Sequence, residues 1–164
     1  MSTDDEFDRF VRASFVALCR TGYLMCGDRQ RAEDAAQEAL LRTHRRWRRV
    51  TDPLAYARRA VATILIDQSR RPWRREIPTE RSHDGSVADG SGALGERDEV
   101  LRALARLSPR QRGCVVLRYY QDLSVAETAE TLGVSEGTVK RATSDALATL
   151  RTLLPHPIGE ESTP

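Results

Sequence analysis

Leu132-Gly133-Val134-Ser135-Glu136-Gly137-Thr138-Val139-Lys140-Arg141, with the segment that leads into it from Ser124, decides how this chain folds. Ser124-Val125-Ala126-Glu127 places a hydroxyl at a helix N-cap and a carboxylate at N3, so that each satisfies a free backbone N–H. Ser135 caps a second helix. Between the two, Gly133 supplies a residue that adopts φ > 0 where a helix ends, and Leu132 and Val134 supply apolar side chains that seal the corner. The pattern predicts a helix-turn-helix.

Beyond the turn, Val139, Ala142, Ala146, Leu147, Leu150 and Leu154 recur at helical spacing and form a buried stripe. The opposite face carries Thr138, Lys140, Arg141 and Ser144. Short polar groups beside cations at an exposed helix N-terminus suit phosphates and base edges in a major groove.

Charge divides the rest of the chain. Residues 29–75 hold thirteen arginines against five acidic groups, 76–99 hold seven acidic groups against two arginines, and 100–154 are basic again. The formal net charge of +2 therefore conceals two basic blocks separated by an acidic one, as expected of two polyanion-binding modules on a tether. Lys140 is the single lysine, a preference that fits GC-rich coding but leaves the clustering of arginine unexplained. No run approaches the roughly 20 apolar residues of a membrane span, and Asp4-Asp5-Glu6 is unlike a signal peptide, so a cytoplasmic protein without membrane insertion is expected. Cys19, Cys26 and Cys114 are too few and scattered for a disulfide scaffold. Cys19, Cys26 and His44 lack a clear fourth zinc ligand, so no metal or other cofactor is expected and the cysteines read as buried free thiols.

The first basic block reads as three helices. The first spans about 5–26, with Phe7, Phe10, Val11, Phe15, Leu18, Tyr23 and Leu24 mainly on one side, and stops at Gly27-Asp28. The second runs from about Arg29 to Trp47 and turns Ala32, Ala35, Ala36, Ala39, Leu40 and Thr43 inward, small residues that permit close approach. Its outer side presents Glu33, Asp34, Gln37 and Glu38, an acidic and amide patch that repels nucleic acid and suits a basic protein partner. Asp52 as N-cap and Pro53 at N1 open the third helix, which extends to about Arg71. Arginines interleaved with Trp47, Tyr56 and Trp73 can track a phosphate backbone while offering rings to unpaired bases.

Residues 76–95, with Pro78, Gly85, Gly90 and Gly92 and few apolar groups, read as a flexible acidic linker. Helices resume over about 94–107 and again after Ser108-Pro109-Arg110-Gln111, a second capping box with proline at N1. The latter turns Cys114, Val115, Leu117 and Tyr120 inward and leaves Arg110, Arg112 and Arg118 free for a backbone or partner. The tail 155–164 is expected to be disordered. The fold class is therefore all-α: two small helical domains, 5–75 and 96–154, joined by the linker.

Taken together these segments resemble an extracytoplasmic-function sigma factor of the bacterial sigma-70 family. The run 27–39 is similar to the family's region two and 56–67 to the segment after it. Leu107 to Arg112, Val116 to Tyr120 and Ser135 to Lys140 resemble region four. The resemblance implies a protein that binds core RNA polymerase, recognises promoter DNA and helps open it. It implies polymerase docking through Asp34, Gln37 and Glu38. It implies minus-ten contacts through Trp47, Arg48, Arg49, Tyr56, Arg59, Thr63 and Arg70, with residues 47–54 in the place of a loop that captures a flipped non-template base. Minus-thirty-five contacts are implied for Arg118, Ser135, Thr138, Lys140, Arg141 and Ser144. Thr63 stands where many members carry asparagine, and Ala142 and Asp145 where many carry cations, which leaves the minus-thirty-five contacts mainly to Lys140, Arg141 and Ser144. An anti-sigma protein is a plausible further partner.

Two other readings compete. An operator-binding regulator would use the same recognition helix and have no use for the acidic patch. A nucleic-acid enzyme is disfavoured, because His44, His83 and His156 are dispersed and neither a P-loop nor a paired-carboxylate site is present.

Overall fold

The computed structural model describes residues 1–70 and 94–155, the side chains of Leu94 and Glu96 excepted. The expected linker through residue 93, the Trp73 cluster and the tail from residue 156 lie outside the described residues. Every described element is helical, and the chain divides into two compact units at Gly85 and Ser86.

Unit one packs α1 (Thr3–Cys26), α2 (Arg29–Arg45) and α3 (Pro53–Ser69) against one another. Each helix begins at a side-chain cap. Ser2 and Asp5 form a reciprocal capping box on α1, Asp28 Oδ1 accepts from the Arg31 N–H at 3.0 Å, and Asp52 Oδ1 accepts from the Ala55 N–H at 3.0 Å with Pro53 at N1. Gly27, at φ 68°, closes α1 in the left-handed region.

The core is built on an alanine ridge. Ala32, Ala35, Ala36, Ala39, Leu40 and Thr43 of α2 are all buried, as their spacing predicts. Gly22 of α1 meets this ridge so closely that an added Cβ would stand 3.1 Å from Ala32 Cβ and 3.2 Å from its Cα. The buried hydroxyls in this interface are satisfied within their own helices. Ser14, Thr21 and Thr43 donate to the carbonyls of Phe10, Ala17 and Ala39 at 2.6, 3.1 and 2.7 Å, so burial leaves no donor unpaired there.

Close approach corrects the expected inward face of α1. The fully buried line is Ser14, Leu18, Thr21, Gly22 and Met25. The large side chains expected inward, apart from Leu18, are only half-buried, because the small residues of the α2 ridge leave room for small partners at the contact line. Phe7 and Phe10 instead gather around Trp47, with ring centroids 5.2 Å away in each case. This cluster also shortens α2. The helix ends at Arg45, and residues 46–49 form a tight turn in which the Arg49 N–H donates to the Arg46 carbonyl at 2.7 Å.

Unit two contains α4 (Leu94–Ala105), α5 (Pro109–Val115) running into a π-helical turn (Val116–Tyr120), α6 (Val125–Leu132) and α7 (Glu136–Leu153). The Ser108–Gln111 capping box opens α5 as expected. Leu104, Cys114, Leu117, Leu132, Val139, Ala146 and Leu150 form the core. Two expectations fail here. Tyr120 is 51% exposed, because the widened turn shifts the register after Leu117 and rotates both Tyr119 and Tyr120 outward. Arg112 is only 7% exposed, packed into the unit and not free for an outside partner.

The chain leaves the π-turn through Asp122, which holds φ 55°. Aspartate tolerates this left-handed conformation, whereas a β-branched side chain clashes with its own backbone. Asp122→Val is expected to destabilise unit two by about 1–2 kcal/mol and Asp122→Gly to leave it unchanged or firmer, measured as shifts in urea midpoint.

Candidate nucleic-acid and partner interfaces

The helix-turn-helix forms as the capping pattern requires. Ser124 Oγ accepts from the Glu127 N–H at 3.0 Å while Glu127 Oε2 accepts from the Ser124 N–H at 2.7 Å. Gly133 takes φ 66° at the corner, and Ser135 Oγ accepts from the Thr138 N–H at 3.1 Å to start α7. Val139, Ala142, Ala146 and Leu150 are buried as expected, with Leu147 and Leu154 half-buried.

This local bonding sorts the sequence-predicted contacts. The Ser135 and Thr138 hydroxyls lie 2.9 Å apart and serve the cap, whereas Lys140, Arg141 and Ser144 project from α7 into solvent. Lys140 and Ser144 line a groove of about 280 Å³ that also includes Arg118, Thr143, Leu147 and Arg151. Arg118 is fixed there by donation from Nη1 to the Leu123 carbonyl at 2.6 Å. Arg151 was missed in the sequence, although the spacing 140, 144, 147, 151 places it on the same line of the helix. Arg141, one residue on, is exposed and is not among the residues that line this groove.

Unit one presents two surfaces of opposite charge. On α2, Asp34 and Gln37 are exposed and Glu38 half-buried. Their charges are only locally engaged: Gln30 Nε2 donates to Asp34 Oδ1 at 2.9 Å, and Arg42 Nε donates to Glu38 Oε1 at 2.9 Å. Exposed i,i+4 pairs of this kind are worth about 0.3–0.5 kcal/mol, so a partner's cations can displace them at small cost. Leu41 continues the same line at 54% exposure, an apolar contribution to this face that a search for charge overlooked.

The basic surface combines the turn 44–49 with α3. Trp47 is half-buried against Phe7 and Phe10, which ties the turn to α1 while Arg48 and Arg49 stay exposed. Tyr56, Arg59, Thr63 and Arg70 follow one line of α3, the first three half-buried and Arg70 exposed at the C-cap. Thr63 Oγ1 donates to the Arg59 carbonyl at 2.7 Å. Its proton is therefore engaged, and toward a ligand the hydroxyl acts as an acceptor, where an asparagine would offer both functions.

The cysteines are free thiols. Burial raises the Cys114 thiol above its usual range, and burial followed by the nearby Glu33 charge raises Cys19, so both are poor nucleophiles at neutral pH. Only Cys114 is fully buried. Cys26 is half-buried, its Sγ 3.3 Å from the Asp28 carbonyl. Among the described residues no group of three His, Cys, Asp or Glu side chains is placed to hold a metal ion. Nor, among them, is any helix long and apolar enough to cross a membrane.

Known proteins share this arrangement. Residues 103–152, which contain the helix-turn-helix, match the family Sigma-70, region 4. Over 149 residues the chain is 38% identical to the RNA polymerase sigma-E factor of Streptomyces avermitilis, covering 89% of this chain and 83% of that protein. It is 36% identical over 152 residues to the ECF RNA polymerase sigma factor SigM of Mycobacterium tuberculosis, covering 90% of this chain and 76% of the relative. In fold it is similar to the sigma factor RpoE of Bartonella quintana, solved in complex with the anti-sigma factor NepR, at a TM-score of 0.69 and 22% identity over 90% of this chain and 96% of that one. Since this identity runs through the three-helix unit as well as the helix-turn-helix, the chain belongs to the ECF RNA polymerase sigma factors of the sigma-70 family.

Proposed function

We propose that this sigma factor divides its work among three surfaces: α2 docks core polymerase through Asp34, Gln37 and Glu38, the basic turn with α3 holds the opened minus-ten strand, and α7 reads the minus-thirty-five duplex. The observation that carries this reading is the segregation of charge within unit one, where an acidic α2 face and an arginine-rich turn belong to the same three-helix body. An operator-binding regulator needs only the α6–α7 motif and gives the acidic face no purpose.

On the strand-holding surface, Arg48, Arg49 and Arg70 meet phosphates, while Arg59, Tyr56 and Thr63 line the α3 side and Trp47 anchors the turn. Single-strand capture suits this surface because reading a base by its pairing edge requires that base to be unstacked. Energy for opening comes from binding, and the chain has no catalytic role of its own. On α7, Lys140, Arg141 and Ser144 make the duplex contacts, Ser135 and Thr138 order the helix start, and Arg118 holds backbone from the groove wall. The exposed carboxylate of Asp145 weakens phosphate attraction, so each module binds weakly and the assembly supplies affinity through its linked sites. A protein of the anti-sigma kind, as seen bound to RpoE of Bartonella quintana, is a fitting regulator, and the cytoplasm is the compartment in which these partners meet.

Run-off transcription with core polymerase on a promoter library tests the whole reading: sequence-dependent transcripts are expected, and their absence sinks it. Within such a library, Arg141→Ala is expected to lose about 1–3 kcal/mol of discrimination at one base pair of the upstream element. Equal weakening on every sequence would assign Arg141 to phosphate instead.

A further inference from the structure

Beside the basic turn lies an open cavity of about 460 Å³, walled by residues 44–49 on one side and by Thr3 and Asp4 from the first turn of α1 on the other. Two contacts relate the walls. Arg48 Nη2 donates to Thr3 Oγ1 at 3.4 Å, and His44 Nε2 stands 4.0 Å from Asp4 Oδ1. The His44 ring also rests against Phe7, with centroids 4.5 Å apart, so the turn is braced against α1 close to the cavity.

The lining is chemically uneven. Arg45, Arg46, Arg48 and Arg49 offer donors only, whereas Asp4 is the one carboxylate, with its side chain 89% exposed. A phosphate entering this space is attracted by the arginines and repelled by Asp4, so a carboxylate serves no purpose in tracking a backbone. It does suit a base edge, where the exocyclic amino groups of adenine, cytosine and guanine donate to a carboxylate from the edge's periphery, whereas thymine offers only its ring N3–H, flanked by two carbonyl oxygens that the carboxylate repels.

We propose that Asp4 is a specificity-determining residue of the single-strand site, its carboxylate accepting a hydrogen bond from the exocyclic amino group of an unpaired base lodged in this cavity. The arginines of the turn hold the flanking phosphates. The inference rests on the minus-ten role given above to the basic turn, and it adds α1 to a surface otherwise made by the turn and α3. Asp4 also lies in the first turn of α1, where carboxylates favour the helix N-terminus whatever else they do, and the experiment separates these roles.

Holoenzyme binding to single-stranded non-template oligonucleotides, each carrying A, C, G or T at one minus-ten position, provides the test by fluorescence anisotropy. Wild-type holoenzyme is expected to disfavour thymine about 10-fold at one position. Asp4→Ala is expected to flatten that preference and leave the other positions unchanged, with Asp4→Asn, which keeps an acceptor oxygen, intermediate. Uniform tightening on all bases by Asp4→Ala would reduce the carboxylate to simple repulsion and overturn the proposal. An unchanged base preference accompanied by a lower melting temperature would overturn it in favour of a helix-stabilising role. Wild-type holoenzyme with no sequence-dependent strand binding at all would overturn the minus-ten assignment and this proposal together.

Discussion

Gly22→Val is expected to destabilise unit one by about 2–3 kcal/mol, because it forces a branched side chain into a close contact between α1 and α2. An added Cβ at Gly22 already stands 3.1 Å from Ala32 Cβ and 3.2 Å from Ala32 Cα, and the second of these is backbone that cannot rotate away. Relief requires α1 and α2 to separate, which withdraws contacts from the whole ridge of Ala32, Ala35, Ala36 and Ala39. Valine's better helix propensity than glycine returns only a few tenths of a kcal/mol. Gly137→Ala makes the comparison. At that position the nearest atom to an added Cβ is Ser135 Oγ at 3.9 Å, so the substitution is expected to be neutral or to stabilise unit two by up to about 1 kcal/mol. Urea denaturation followed by far-UV circular dichroism reads both. A Gly22→Val midpoint equal to wild type would show that the helices part without cost and that the ridge does not set their distance.

The double variant Asp34→Arg with Glu38→Arg is expected to lower affinity for core polymerase by about 100-fold or more, since like charges placed across an interface cost several kcal/mol. The fold should hardly notice. Asp34 loses an exposed contact from Gln30 and Glu38 an exposed pair with Arg42, each worth a few tenths of a kcal/mol. The expected signature is therefore a variant that melts like wild type and fails to join polymerase in a pull-down or by gel filtration. Undiminished polymerase binding would remove α2 from the docking surface. Leu41→Ala, which leaves charge untouched on the same face, asks separately whether the exposed leucine contributes contact area.

Much of the architecture was readable from local chemistry. Ser108 with Gln111, Ser124 with Glu127, Asp52 with Pro53, and Gly133 each appear in the structure in the role their residue types predict, because capping is a contest among neighbouring backbone groups and its participants are adjacent in the chain. The alanine ridge of α2 was readable for a related reason, as about three turns of mostly small residues at one helical spacing leave a single face able to approach a neighbour closely. The candidate surfaces were legible in part. Asp34, Gln37 and Glu38 and the arginines around Trp47 could be grouped by helix face and charge alone; Arg151 and Leu41 share those helix lines by spacing but were overlooked, whereas Asp4 lies on another helix and could not be grouped.

The sequence by itself determined where the capped helices start, which face of α2 packs inward and where the corner of the helix-turn-helix falls, since each depends on interactions within a few residues. Only the tertiary structure decided which large side chains those faces bury. Phe7 and Phe10 turn to Trp47 and not to the core line of α1, Arg112 is buried, and a π-turn swings Tyr119 and Tyr120 outward, all because the space left by a distant helix is not encoded in local periodicity. The same holds for Asp4. In the chain it is one of three acids at a helix start, and it becomes the sole carboxylate of an arginine-walled cavity only because antiparallel packing of α1 on α2 brings residue 4 beside residue 44.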